Sequence, residues 1–147
     1  MTSANLANLA QLDRGLKAEA LDGKEFDGFV RNGRVRLADA KNPGLSLEGR
    51  FDLTYNAAHA LALAALRWHG YRSENRYLVF QCLEHTVGLP PAEWRVLALC
   101  HERRNKAEYD GDFEVGAQLM ADLMRITESL LRKVAALPKQ DAPGRGH

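Results

Sequence analysis

A chain of 147 residues holds one domain's worth of core, burying about two-thirds of its unfolded surface. With 46% hydrophobic and 27% charged residues it falls among ordinary globular chains, and a net charge of +1 gives no global field to steer nucleic acid, so such binding would need a local basic patch. Two cysteines, Cys82 and Cys100, make no secreted disulfide framework, and the N-terminus lacks the basic start and apolar run of a signal peptide. The most apolar stretch, Ala57 to Leu66, is half the length of a membrane span and is interrupted by His59. The expectation is a cytoplasmic protein with no membrane partner.

Along the chain the helical period dominates and no segment alternates convincingly. Leu6, Leu9, Leu12 and Leu16 recur at steps of three and four, with Thr2 or Ser3 as N-cap and Gly23 as terminator, which predicts a first helix. Phe26, Val30, Gly33 and Leu37 predict a second, ending near Asn42-Pro43-Gly44, with Arg31, Arg34 and Arg36 on its polar side. A third is predicted from Ser46 to Gly70, with Phe51, Ala58, Leu61, Ala65 and Trp68 inward. The six alanines between Ala57 and Ala65 favour helix and permit close approach of a neighbour. A fourth runs from about Glu74 to Val87 with Tyr77, Phe80 and Leu83.

Gly88 suits a helix C-cap, and Pro90-Pro91-Ala92-Glu93 suits the first turn of a fifth helix, which runs to about Asp110 and stops at Gly111. Asp112 can cap the last helix, with its stripe of Leu119, Leu123, Ile126, Leu130 and Val134. The sequence thus predicts an all-α, up-and-down bundle of five to six helices in one domain over 1–137, followed by a disordered tail over 138–147.

The fifth helix carries the chemistry. Trp94, Leu97 and Ala98 define one face, and His101, Asn105 and Glu108 continue it, with Arg104 and Tyr109 flanking. Val96 to Cys100 is apolar nearly all round and is expected to be buried, so the second half projects polar side chains outward from a core. His101 and Asn105 are four apart, as are Arg104 and Glu108, so each pair can touch.

The run Arg103-Arg104-Asn105-Lys106-Ala107-Glu108-Tyr109 resembles the signature of the HEPN family, and Phe51 to Tyr71 resembles that family's Ala-rich helix; the likeness covers roughly positions 25 to 135. The resemblance implies a small helical bundle, usually a homodimer, of bacterial toxin–antitoxin or defence type. It further implies RNA binding and a metal-independent endoribonuclease without cofactor, in which an arginine and a polar residue precede a histidine. Arg104 matches the arginine and Asn105 the polar residue, whereas Tyr109 stands where the histidine is expected. Tyrosine titrates near 10 and is a poor base, while His101, one turn before Arg104, can supply an imidazole. The candidate catalytic set is therefore Arg104, Asn105, Tyr109 and His101, with Arg103 and Lys106 as RNA-binding cations. The resemblance also implies a cognate partner, an antitoxin or a nucleotidyltransferase, for which Tyr109 is a candidate acceptor of adenylyl groups.

Plainer readings stand beside these. Arg103, Arg104 and Lys106 suit the negative end of a helix dipole, and Asn105 and Tyr109 suit a buried network. Non-catalytic service as a helical interaction module thus stays open. Cys82, His85, Cys100 and His101 make a nominal zinc set, but Cys100 and His101 point about 100° apart on a helix, so no metal is expected.

Overall fold

The structure, a computed structural model, describes residues 6–8, 15–110 and 116–139, the side chains of 107–110 excepted. It is an all-α bundle, 73% helical, as its apolar spacing requires. The elements in chain order are β1 (Lys17–Ala18), α1 (Gly23–Asp39), α2 (Leu47–Trp68), β2 (Tyr71–Arg72), α3 (Arg76–Gln81), α4 (Leu83–Thr86), α5 (Pro91–Asp110) and α6 (Ala117–Ala135).

Helix α2 is the central element, packed against α1 on one flank and α6 on another, with α3 and α5 across its N-terminal half. The Ser46 hydroxyl accepts from Gly49 N–H and starts it; Gly70, at φ +86°, turns the chain out of it. All six of its alanines are buried. The tightest approach is at Gly33 of α1, where an added Cβ would lie 2.6 Å from Leu61 Cγ. That glycine is fixed by helix spacing, not by backbone freedom. Arg50 Nε donates to the Ala40 carbonyl, and the Asn42 side chain accepts from Gly44 N–H, shaping the α1–α2 turn.

The N-terminal expectation needs correcting. Residues 6–8 are helical and Leu6 is buried, but Leu16 precedes a short strand that pairs antiparallel with β2, Lys17 opposite Arg72 and Ala18 opposite Tyr71. Leu9 and Leu12 lie outside the described residues. Gly23 opens α1 instead of ending a helix, because Asp22 accepts from the Lys24 and Glu25 N–H groups as its N-cap. A two-residue strand is too short to show alternation in sequence.

The single helix expected over 74–87 is divided at Cys82, where the backbone stays helical but the bonding tightens. Leu89 N–H then closes onto the Leu83 carbonyl across Gly88, at φ +69°, which ends the helix. Tyr77 is 49% exposed, its ring edge-on to Trp94. Leu99 is also exposed, so Val96 to Cys100 is buried on one side only. Asp112 lies outside the described residues; α6 begins at Ala117 with Gly116 at its N-cap and buries Leu123, Ile126, Leu130 and Val134, while Leu119 is half-buried. Trp68, half-buried, donates its indole N–H to the carbonyl of Pro138.

Among the described residues no helix is long and apolar enough to cross a membrane.

A buried arginine clasps the N-terminal segment. Arg67, 1% exposed, donates from Nε to Glu25 Oε1, from Nη1 to the Glu19 and Tyr71 carbonyls, and from Nη2 to the Ala20 carbonyl. Arg72 adds bonds to both Glu25 oxygens and pairs with Glu19 at 2.9 Å. The hydrogen bond from Arg72, joined by Arg67, holds the Glu25 carboxyl below its ordinary range. Two guanidiniums meet two carboxylates and three carbonyls, and the charge closes on itself.

Candidate functional site

A second polar cluster lies where α2, α3 and α5 meet. Its centre is Tyr55, fully buried on α2 between Phe51, ring centroids 6.5 Å apart, and His101, at 6.3 Å and nearly parallel. The Tyr55 hydroxyl and His101 Nδ1 are 2.9 Å apart. Arg76 Nη1 donates to the same hydroxyl at 3.2 Å. Asn75 caps α3 by accepting from Leu78 N–H, which fixes the helix start and sets Arg76 at its first position, over the Tyr55 ring at 5.7 Å.

From α5, Arg104 covers the Tyr55 ring at 5.2 Å and donates from Nε to Asp52 Oδ1 at 3.0 Å. One turn apart, Asn105 Nδ2 lies 3.3 Å from His101 Nε2, the contact that their spacing of four predicted. Both imidazole nitrogens are therefore engaged. With the Asn105 amine donating to Nε2, the ring carries its proton on Nδ1 and donates to the phenol oxygen, which also accepts from Arg76. Turning the amide and moving one proton reverses the chain, so that Tyr55 donates to Nδ1 and Nε2–H faces the amide oxygen.

The electrostatics favour neutral rings among fixed cations. Burial lowers the His101 pKa first, and the charges of Arg76 and Arg104 lower it further. Burial likewise brings His59, edge-on to Phe80 and one turn beyond Tyr55, down to about 4, with Arg76, His101 and Arg104 adding to the effect. Burial raises the Tyr55 phenol against the opposing pull of Arg76. The chemistry available is that of two guanidiniums able to hold an anion, a neutral imidazole able to take a proton, and a protonated phenol fixing that imidazole.

Of the residues singled out in sequence, Arg104, Asn105 and His101 are brought together here. Arg103 and Lys106 are exposed on α5, away from the cluster's buried centre. The side chains of Glu108 and Tyr109 lie outside the described residues. Sequence reasoning missed Asp52, Tyr55, His59 and Arg76. The first three stand inside the stretch Phe51 to Tyr71, read only as a helix, and their steps of three and four put them on one face. Arg76 gave no signal, because nothing in its surroundings tells which helix it meets.

The nominal zinc set does not assemble. Cys82 and Cys100 are buried thiols pushed up to about 12 by burial, and His101 is spent on Tyr55 and Asn105. Among the described residues no three His, Cys, Asp or Glu side chains are grouped to hold a metal. His69, which had no evident partner in sequence, lies 2.9 Å by its Nε2 from the Thr86 carbonyl, which as a pure acceptor requires the proton on that nitrogen. Comparisons with family models, with curated proteins and with solved structures find no match for this chain.

Proposed function

We propose that this chain is a HEPN-like, RNA-associated protein of bacterial toxin–antitoxin or defence type, and that the Tyr55 cluster receives an RNA phosphate. The observation that carries this reading is the charge of the cluster. Arg76 and Arg104 both lie over one phenol, beside a neutral imidazole, with the Asp52 carboxylate bonded to Arg104. Asp52 is about half exposed, so its bond to Arg104 can be exchanged for a phosphate oxygen at little cost. His101, with its proton on Nδ1 toward Tyr55, keeps the Nε2 lone pair behind Asn105, an exposed side chain that can swing aside. Cleavage would then run without metal. Nε2 takes the ribose 2′-hydroxyl proton, the 2′ oxygen attacks phosphorus, the guanidiniums hold the phosphorane, and the 5′ oxygen leaves with a proton from solvent. A homodimer and a cognate antitoxin belong to the same reading, whereas a nucleotidyltransferase acting on Tyr109 belongs to the non-catalytic alternative.

The test is a labelled single-stranded RNA incubated with purified protein in chelator. Expected are binding that weakens with salt, a drop of about tenfold or more for Arg76→Ala and Arg104→Ala, and cyclic-phosphate ends that disappear in His101→Ala. Wild-type protein that neither binds RNA at low salt nor arrests growth on strong expression would overturn the reading.

A specific observation favours a second reading. Every polar group of the cluster already has a protein partner, as a purely structural tie between α2, α3 and α5 would require. On that reading the chain is a non-catalytic helical interaction module, and Arg104→Ala alters stability alone.

A further inference from the structure

A groove of about 870 Å³ opens between the first half of α1 and the end of α6, on a different face of the bundle from the Tyr55 cluster. Its volume lies in the range of sites that hold small organic ligands, roughly 300–1,000 Å³. The apolar lining includes Phe26, Val30, Trp68, Val134 and Leu137, from three helices and the chain leaving α6. Trp68 is held by its bond to Pro138, so this wall is built and not a loose side chain.

The polar lining has a sign. Lys24, Arg31, Arg34 and Lys139 face it, against Asp22 and Asp27. Asp22 is spent on the N-cap of α1, its carboxylate bonded to two backbone N–H groups. Arg31 and Arg34, three apart on α1, share a face, and neither takes part in an ion pair among the described residues. Two unneutralised guanidiniums beside an apolar trough match a ligand with one compact anionic head and an apolar body. The chain's own last residues, Gln140 to His147, carry no large apolar side chain and so lack the body that this trough would cover.

We infer that the α1–α6 groove binds a free amphipathic carboxylate of the medium-chain fatty-acid class, its chain along the half-buried Phe26, Val30 and Trp68 and its head on Arg31 and Arg34. This is independent of the RNA reading, since it uses none of the residues around Tyr55.

Calorimetric titration of the full chain with dodecanoate, below its micellar concentration, tests the assignment. Expected is saturable one-to-one binding with a change in Trp68 emission, weakened about tenfold or more in the Arg31→Glu/Arg34→Glu variant and unchanged in Arg104→Ala. Both arginines are exposed, so the double variant is expected to keep the wild-type circular dichroism. Val30→Trp, which fills the trough from its half-buried rim, is expected to abolish binding. Absence of saturable binding, equal affinity for dodecyltrimethylammonium, or full affinity in the charge-reversed variant would overturn the inference. So would arginine-dependent sedimentation with phosphatidylglycerol vesicles, which would make the groove a membrane contact.

Discussion

Two arginine-centred networks lie on the same helix, α2, and they are built on opposite terms. Around Arg67 each guanidinium donor has a carboxylate or carbonyl, the charges are matched by Glu19 and Glu25, and the side chain is sealed from solvent. Around Tyr55 one guanidinium and an imidazole bond the hydroxyl, a second guanidinium covers the ring, and the Asp52 carboxylate bonded to it is half exposed. A closed network gains specificity of fold and has nothing left to offer a ligand. The other leaves its guanidiniums partly exposed to solvent.

The contrast is broken most directly at its closed end. Arg67→Ala strands three carbonyls, leaves Glu25 with Arg72 alone, and is expected to lower unfolding stability by about 3–5 kcal/mol in urea titrations. A loss below about 1 kcal/mol would show that the clasp is not a structural unit.

Acid separates the two networks next. The folded pKa of His59, about 4, lies below its ordinary 6.5, so the unfolded chain binds more protons between these values. Stability is then present above the higher value and is lost as pH falls toward the lower, by on the order of 2 kcal/mol for this residue. His101 and His69 are lowered by burial and act in the same direction. Glu25, also depressed, gives stability that is fully present above about its ordinary value of 4.5 and is lost only as pH falls below it. Urea midpoints measured from pH 7 downward should therefore fall before the carboxylate range is reached, and His59→Asn should flatten that first phase.

Tyr55→Phe removes the hydroxyl that orients His101 and receives Arg76, at an expected cost of about 1–2 kcal/mol. It also moves the His101 titration, readable by NMR, whereas a cluster held by packing alone would leave that titration in place. Smallest is Arg76→Ala, expected within about 0.5–1 kcal/mol of wild type because its side chain is partly exposed and pairs with a neutral phenol. A large loss there would move Arg76 into the structural class with Arg67.

The sequence made local structure legible wherever one residue settles a local geometry. Ser46 caps α2, Gly88 closes α4, Pro91 opens α5, and the stripe of α6 reads directly from its period. It also set His101 and Asn105 on one face of α5, with Arg104 flanking it. What stayed hidden is pairing across helices. Periodicity says that Tyr55 faces inward and does not say that it faces His101; nor does anything local reveal that Arg67, in the last turn of an apolar helix, reaches back to residues 19 and 20. The leucine steps at the N-terminus misled for the same reason, since a spacing of four fits a helix equally well whether or not Gly15, at φ +87°, and the β1–β2 pair interrupt it.

The Arg67 clasp also orders the events of folding. Its partners at Glu19 and Ala20 are 47 and 48 positions away, and its bonds need both α1 and the turn after α2 already in place. Closing so long a loop carries an entropic penalty that local helix pairing does not, so the α1–α2 hairpin, joined by a short turn and seated by Gly33 against Leu61, can form well before the N-terminal segment is fastened. The strand at Lys17 is then the last piece to dock and the first to peel away, while the helical bundle remains assembled.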